Sequence, residues 1–481
     1  IMDTTKGKKG KPMAVERTSD AITSDSEGRK LTFSVRGVLH DTSLKYLGLS
    51  LLLAYHYVLW FAPSSFYGTE LLNTEITDAW LVSLCVTSMT MLITALIVKR
   101  KRHLSDSQGL SVGATLGVAF CTLMLQYLPG LPSEEIIICS LSAMAGCFEG
   151  LMITLWGECL TRMNAKFSMP HLGLVFGFTL LISVGTATVL PDMLVRPLTT
   201  VLVLASGALL VFFDSSEDKK YPTLLPKKTV HSATVNTLIV CAIGFLTGAS
   251  TYYLAAIIPW ETLPLEQSSF AIGIICMSIV LVAASLATKA LKQEHGIFKM
   301  FPWLLVLTIV AFCIFIADDV LNLPAFLIGL VVASILEIAL ISYFGTLVQR
   351  GFLSPAFSFA LSIGSVRLGI AAGNALAVFY EKSNLAYDSI VIYTSLIFIC
   401  LMAAMLIPIS KRESFIINLI SAPASPAEVD VVCNQIIEEF GLSEREGEIL
   451  KLVARGNTAA NIANKLVISP PHGKHPHPSY L

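Results

Sequence analysis

The sequence predicts an all-α, polytopic membrane protein, and three observations lead to this fold class. Hydrophobic residues make up 54% of the 481-residue chain and charged residues only 14%, whereas soluble domains carry about 25% charged residues. Twelve apolar segments are each long enough to cross a bilayer, which takes about 20 residues of helix. Lysine and arginine recur in alternate loops between these segments. Because backbone groups inside lipid must be paired within their own segment, each span is predicted to be a helix.

The chain begins with a polar and basic tail at residues 1–43, in which the stretches TTKGKKGKP and SEGRK concentrate the positive charge. This tail contains no short apolar run followed by a small-residue cleavage site, so we expect no removable signal peptide. We predict that the tail lies in the cytoplasm, since positive charge is retained on that side of the membrane.

The membrane part is predicted to consist of two halves of six spans each. The first half occupies residues 44–213, a polar cytoplasmic loop follows at 214–235, and the second half occupies residues 236–410. The predicted spans are 44–62, 79–98, 110–129, 135–158, 171–190, 197–213, 236–259, 269–287, 301–317, 324–345, 356–380 and 388–410.

The loops between the spans support this count. Loops after even-numbered spans are basic, as at Lys99–Arg102, Lys219–Lys220 and Lys227–Lys228. Loops after odd-numbered spans contain Arg196 and Lys382 as their only basic residues. Positive charge marks the cytoplasmic side of a membrane protein. The pattern therefore predicts that both termini are cytoplasmic, which an even number of spans allows.

The two halves resemble each other in sequence. Span four with its exit reads FEGLMITLWGECLTR (148–162), and span ten reads LEIALISYFGTLVQR (336–350), so that without gaps Glu149 falls on Glu337 and Gly157 on Gly345. Two parallel six-helix repeats are typical of major facilitator proteins, and residues 44–410 resemble that superfamily. The loop between spans two and three, VKRKRHLSDSQG, lacks the glycine and aspartate pattern of facilitator transporters. This departure weakens the inference to active transport.

Four ionisable residues are predicted to lie deep within the spans, namely His56, Glu149, Glu337 and Arg367. Because a charge at the membrane centre costs about 2.5–3.5 kcal/mol on insertion scales, each needs a partner or a function. Arg367 and Glu337 lie on consecutive spans and can pair, leaving Glu149 unpaired. Arg367 either belongs to an ion pair that fixes helix register or anchors a polar or anionic small molecule in a midplane pocket. The repeat favours a structural role for the two glutamates. His56 either packs between helices or lines a cavity.

No motif of catalysis or metal binding occurs in the sequence. We find no Ser/His/Asp set, no phosphate-binding glycine loop and no CxxC or Cys/His spacing, and most of the ten cysteines lie inside apolar runs. The sequence therefore predicts no enzyme, no cofactor, no metal site and no catalytic residue.

The region after the membrane is predicted to start with a linker and a short amphipathic helix at 411–440. A partial helix-turn-helix domain follows at 441–469. Ser443 and Glu446 form the S-x-x-E pattern of a capping box, which opens a helix. The order LSEREGEIL, RGNT and ANIANKLVIS resembles the LuxR-type helix-turn-helix domain. The resemblance implies a DNA-binding scaffold made of Ser443, Arg445, Glu446, Gly456, Thr458, Ile462, Ala463, Leu466 and Ser469.

The residues that should form the DNA-reading helix of such a domain depart from the family pattern. After Ser469, residues 470–481 read PPHGKHPHPSYL, and proline prevents an ordinary helix there. We hypothesise a one-base frameshift at Pro470/Pro471, since synonymous codons read one base later continue the family pattern as HTVNTHIRHI. A metal-binding tail of His472, His475 and His477 is the alternative. We expect a poorly ordered tail and impaired reading of DNA.

The two resemblances together imply a bacterial LuxR-type transcriptional regulator held in the inner membrane. Its facilitator-like part would sense an unknown small molecule, and its tail would bind DNA. The resemblance implies a homodimer, since members of that family usually pair on DNA. The alternative is a major-facilitator-type secondary transporter of a small solute, with an accessory tail. A non-functional product is a third interpretation, given the departure at the end of the sequence.

Overall fold

The structure is a computed structural model, and it places the predicted spans as a bundle of long helices. It describes residues 43–62, 64–66, 73–98, 103–127, 134–163, 165–216, 227–258, 269–291, 300–383, 387–421, 430, 433–434, 436–438, 440–454, 462 and 466.

Each of the twelve predicted spans coincides with one helix. Ten helices are long and apolar enough to cross a membrane, and no strand occurs within the described ranges. The helices are α1 (Ser43–Phe61), α2 (Asn73–Ile97), α3 (Gln108–Tyr127), α4 (Glu134–Arg162), α5 (Leu174–Val189), α6 (Asp192–Ser216), α7 (Lys227–Ile257), α8 (Ser269–Ala290), α9 (Phe301–Ala317), α10 (Asn322–Gln349), α11 (Pro355–Lys382), α12 (Tyr387–Ser421) and α13 (Glu444–Ala454). The all-α membrane fold class is confirmed.

Two helices differ in length from the prediction. The sixth span was expected to be short, but α6 has 25 residues and contains Pro197 within its first turns. Helix α12 contains Pro408 and continues to Ser421, past the expected start of the linker at residue 411. Hydropathy predicted that this span ends before Lys411. The following residues, KRESFIINLI, contain no residue that breaks a helix, so the helix continues. The charged residues mark the edge of the apolar segment and not the end of the helix.

Two contacts between the halves involve helices that the repeat makes equivalent. Helix α2 of the first half packs against α11 of the second, and α5 of the first packs against α8 of the second. Because α8 and α11 occupy the places in the second half that α2 and α5 occupy in the first, the two contacts are related by the repeat. This arrangement gives the bundle an approximate two-fold axis between the halves.

Burial distinguishes the inner helices of the bundle from those that face lipid. In α10, 83% of the most apolar stretch is buried, against 28% in α12. The outward side chains of α12, including Ile392, Leu396 and Ile397, are large and apolar. Such a surface is suited to contact with lipid. Because most of α10 is buried, polar side chains on α10 lie inside the protein and not in lipid.

Candidate functional site

The four ionisable residues predicted within the spans form one buried cluster. His56 lies on α1, Glu149 on α4, Glu337 on α10 and Arg367 on α11, and the exposed fraction of each is 8% or less. They come from both halves of the bundle and from near the middle of their helices, except His56, which lies closer to the end of α1. The repeat thus places one glutamate from each half beside the boundary between the halves.

Arg367 is the residue that connects the two halves. Its Nη1 atom donates a hydrogen bond of 2.6 Å to Oε1 of Glu149, and both side chains are buried. The expected pairing with Glu337 is therefore wrong, as is the expectation that Glu149 is unpaired. Helix α11 packs against α2 and α4 of the first half. The guanidinium of Arg367 therefore reaches the carboxylate of Glu149 across the boundary between the halves. Glu337 remains within electrostatic range of Arg367.

His56 extends this ion pair into a chain of polar contacts. Its Nδ1 atom lies 3.3 Å from Oε2 of Glu149, and its Nε2 atom accepts a hydrogen bond of 3.2 Å from Nε1 of Trp80. A nitrogen that accepts the indole proton carries none of its own, so Nδ1 is the nitrogen that donates to the carboxylate. This arrangement assigns the neutral tautomer to His56 and leaves Arg367 as the one positive charge of the cluster.

Glu337 has a different environment from Glu149. One of its oxygens accepts a hydrogen bond of 3.4 Å from the hydroxyl of Tyr57, and this hydroxyl is also hydrogen-bonded to Tyr252. Among the residues that the structure describes, no basic side chain forms an ion pair with Glu337. Its carboxyl group therefore lies in a buried setting in which no described cation contacts it.

Sequence reasoning named Tyr57 only as a neighbour of His56 in a possible cavity, and it did not identify Tyr252 or Trp80 as members of the site. A signal for Tyr252 exists in the repeat. The end of the first helix of each half reads AYHYVLWFAP (54–63) and STYYLAAIIP (250–259), and a gapless alignment of the prolines places His56 on Tyr252. The two halves thus place equivalent residues near equivalent glutamates, with His56 in contact with Glu149 and Tyr252 within electrostatic range of Glu337.

Aromatic residues close the bundle at the end that holds the loop from α1 to α2, called here the outer end after the predicted topology. Phe61 of the first half stacks on Phe270 of the second, with ring centroids 5.3 Å apart. The rings of Trp80 and Tyr252, also from different halves, are 5.9 Å apart. A more exposed ion pair of 3.1 Å joins Lys382 to the first half through Asp78.

Phenylalanine and glycine close the opposite, inner end. A Cβ atom on Gly157 would lie 2.5 Å from the ring of Phe359, and one on Gly345 would lie 2.2 Å from the ring of Phe167. Gly157 and Gly345 are equivalent in the repeat, and each is therefore covered by a phenylalanine of the opposite half. The rings of Phe167 and Phe359 also contact each other, with centroids 5.9 Å apart. The charged cluster lies between these two sets of contacts between the halves.

The loop that carries Phe167 is anchored to both halves. Lys45 of α1 donates a hydrogen bond of 2.7 Å to the carbonyl of Met163, and Tyr46 of the same helix donates to the carbonyl of Lys166. Gln349 of α10 donates from the other half to the carbonyl of Ala165. These contacts position Phe167 against Gly345.

In the tail, the described residues contain the expected capping box. The amide of Ser443 donates to Glu446 at 2.8 Å, the Ser443 hydroxyl donates to the same oxygen at 2.7 Å, and the Glu446 amide is 3.4 Å from that hydroxyl. These hydrogen bonds hold the pKa of Glu446 below its ordinary value. The carboxylate thus compensates for unpaired amides at the start of α13.

Other tail residues are only partly described. Arg445 donates to the carbonyl of Leu466 at 2.6 Å, and Ile462 is buried. The apolar side chains of Phe440 and Val453 are 70% and 54% exposed. The scaffold residues Gly456, Thr458, Ala463 and Ser469, together with the end at 470–481, lie outside the described residues. The DNA-binding domain stays a prediction.

Metal binding and sequence relationships add little to this geometry. Within the described ranges, no group of three or more His, Cys, Asp and Glu side chains could hold a metal ion. No protein-family model matches the chain, and no curated protein sequence matches it.

Solved structures provide the informative comparison. The human organic anion transporter MFSD10 (TETRAN) is similar with a TM-score of 0.50 and 14% identity, over 76% of this chain and 98% of that one. A mutant of the nucleoside transporter NupG is similar with a TM-score of 0.48 and 15% identity, over 77% of this chain and 98% of that one. At such identities a likeness shows the fold alone. The membrane part of the chain has a major-facilitator-like fold.

Proposed function

We propose that the protein is a secondary transporter of a small solute, which binds between the two halves of the bundle at the charged cluster. The observation that carries this proposal is the buried ion pair between Glu149 and Arg367, which joins the halves at their centre. In facilitator folds the two halves rock about a site at the midplane, so a contact between halves at that place changes with each cycle.

The energetics of the ion pair support this role. Breaking a buried pair by removing one partner costs about 3–5 kcal/mol, because the remaining charge is uncompensated. A solute that supplies polar or charged groups offsets this cost when the halves separate. Occupied and empty proteins would then favour different arrangements, which is the requirement for a ligand to shift a conformational equilibrium.

The closures at the two ends support the same proposal. Each involves a few side chains from opposite halves, Phe61 with Phe270 at the outer end and Phe167 with Gly345 at the inner end. Contacts of this size can separate at one end while the other stays packed. A continuous apolar interface would instead resist opening.

Solute uptake by the purified chain in proteoliposomes tests the proposal. A panel of small cations, anions and neutral solutes of similar size would first be screened for thermal stabilisation of the protein. We expect saturable uptake of at least one stabilising solute, lost in Arg367→Gln and retained in Lys382→Gln, whose charge lies in the exposed pair at the outer end. The absence of saturable uptake and of stabilisation across the panel would refute the proposal.

A second candidate function is a membrane-bound regulator that binds DNA through its tail. It is favoured by the capping box of Ser443 and Glu446 within the order LSEREGEIL. In this proposal the protein lies in a bacterial inner membrane with both termini in the cytoplasm, and its tail pairs with a second copy on DNA. A reporter fused to the adjoining promoter, with residues 470–481 replaced by the frame-restored sequence, tests it. Solute-dependent expression supports regulation, and unchanged expression together with uptake supports transport alone.

A further inference from the structure

We propose that the solute is an organic cation and that Glu337 is its ionic partner. This inference rests on the proposed binding of a solute between the halves, and it adds the chemical class of that solute. It is derived from the charges of the cluster, the contacts of Glu337 and the aromatic side chains around it.

The cluster contains more negative than positive groups. Glu149 and Glu337 are the two carboxylates, and Arg367 is the one permanent cation among the four predicted residues. The guanidinium is held by Glu149 at 2.6 Å, and the hydrogen bonds of His56 describe a neutral ring. Within the described part of the chain, one carboxylate therefore has no positive partner in contact.

That carboxylate is Glu337, and its position makes the lack of a partner expensive. Only 8% of the residue is exposed, and its hydrogen bond from Tyr57 is long, at 3.4 Å. Burial of a carboxylate is unfavourable unless a counter-charge or a proton neutralises it. A cation that enters the site therefore neutralises the buried carboxylate of Glu337, which favours its binding. When the site is empty, a proton on Glu337 neutralises the carboxylate instead.

The side chains next to Glu337 suit an organic cation in particular. Tyr57 donates to the carboxylate, and its ring lies 6.0 Å from that of Phe61 and 6.4 Å from that of Phe176. Tyr252 joins the same hydroxyl and lies beside Trp80. Aromatic faces attract ammonium groups, especially where water is excluded. A carboxylate among such rings fits an alkylated or aromatic amine better than a hydrated metal ion.

An anionic solute fits the same site poorly. Arg367 is the cation that would bind it, but this guanidinium already pairs with Glu149 and lies within electrostatic range of Glu337. An anion would have to displace one carboxylate and approach the other. Arg367 considered alone suggests an anionic solute. With both carboxylates included, the cluster favours a cationic solute.

Uptake of charge-matched probes by the full chain in proteoliposomes tests the inference. The probes are 1-methyl-4-phenylpyridinium as the cation, benzoate as the anion and uridine as the neutral solute, together with any stabilising solute from the screen. We expect saturable uptake of the cation, with at least about a tenfold loss of affinity in Glu337→Gln, because this change removes one partner of a desolvated charge pair. Glu337→Asp, which keeps the charge, should retain part of the affinity.

Glu381→Gln is the matched control, since Glu381 lies at the exposed end of α11 and the same charge is removed there. Gel filtration and thermal unfolding establish that each variant is folded. Cation uptake that Glu337→Gln leaves unchanged overturns the role of Glu337. Uptake of anions or neutral solutes without cations overturns the cationic class but leaves transport standing. Failure of every probe and every screened solute overturns the proposed function itself.

Discussion

Glu149 and Glu337 occupy equivalent positions in the two halves of the bundle, yet their surroundings differ. Glu149 accepts hydrogen bonds from Arg367 and His56, whereas Glu337 accepts one from Tyr57. The difference arises on the neighbouring helices. Helix α11 carries Arg367, while α5, which takes its place in the first half, has the sequence LVFGFTLLISVGTATV and no charge. The repeat therefore reproduces the helix scaffold but not the chemistry of the site.

The closures at the inner end follow the repeat more closely than the site does. Gly157 and Gly345 are equivalent, and each is covered by a phenylalanine of the opposite half. The packing at the inner end is the same in both halves and follows the symmetry of the repeat. The binding site departs from this symmetry, as expected for a site that holds an asymmetric solute.

The largest effect is expected for Glu149→Gln compared with Glu337→Gln. Removal of the Glu149 charge leaves the buried guanidinium of Arg367 uncompensated, so we expect the free energy of unfolding to fall by about 3–5 kcal/mol. Glu337→Gln replaces a carboxyl group that no described cation contacts and that holds a proton when the site is empty, so it should change stability by less than about 1 kcal/mol. Denaturant unfolding in detergent measures both.

A double variant provides the control for this comparison. Arg367→Met added to Glu149→Gln removes the uncompensated charge, and we expect it to recover part of the lost stability. Equal losses in the two single glutamine variants would contradict the difference between the two carboxylates. Lack of recovery in the double variant would show that Arg367 is not the cause of the loss.

The next effect is expected for alanine at the two inner glycines. A Cβ at either position would overlap the opposing phenylalanine, and overpacking of this kind costs about 1–3 kcal/mol. We expect Gly157→Ala and Gly345→Ala to weaken the inner closure to a similar extent. Thiol labelling of a cysteine introduced at Ser168, beside Phe167, measures the opening as an increase in labelling rate.

Gly113 is a suitable control for this pair, since a Cβ there meets nothing within 4 Å. Gly113→Ala should leave the labelling rate unchanged. A strong effect of one glycine and none of the other would show that the closure is as asymmetric as the site.

A smaller effect is expected for the hydrogen bonds that end the polar chain. Trp80→Phe removes the donor to His56, whose bond is 3.2 Å, and Tyr57→Phe removes the donor to Glu337, whose bond is 3.4 Å. Loss of a buried hydrogen bond costs about 1 kcal/mol, and less when the bond is long. We expect Trp80→Phe to reduce stability more and Tyr57→Phe to reduce cation affinity more. The reverse order in unfolding and binding measurements would contradict the division between a structural and a ligand-binding glutamate.

The sequence predicted the helices better than it predicted the partners in the site. Each predicted span coincides with a helix, and ten helices are long and apolar enough to cross a membrane, because the bilayer imposes a similar length and composition on every span. The same reasoning identified His56, Glu149, Glu337 and Arg367 as buried. It chose the wrong partner for Arg367, because consecutive spans are neighbours along the chain, whereas packing between the halves brings α11 beside α4.

The aromatic closures show a second limit of prediction from one sequence. Phe167 and Phe359 are two of 25 phenylalanines, and neither hydropathy nor the repeat distinguishes them from those that face lipid. Their role depends on which glycine lies opposite, a contact that exists only after the two halves assemble. Pairs between halves therefore had to be read from the structure.

The smallest effect is expected for Glu446, which is exposed. Protonation of this residue shows what loss of a glutamate charge does in water, in contrast to loss of charge on a buried glutamate. Its pKa is lowered by the hydrogen bonds from the side chain and amide of Ser443. A lowered pKa in the folded state means that the contribution to stability is present above the ordinary value of 4.5 and is lost as the pH falls through the folded value. We expect the carboxyl carbon of Glu446 to titrate below 4.5 by NMR of the full chain, and Ser443→Ala to return it toward that value. An unchanged titration in Ser443→Ala would show that the capping box does not hold the charge. Since water already solvates this carboxylate, fraying of the first turn of α13 should be the whole consequence of its protonation, whereas loss of the charge on buried Glu149 should destabilise the bundle.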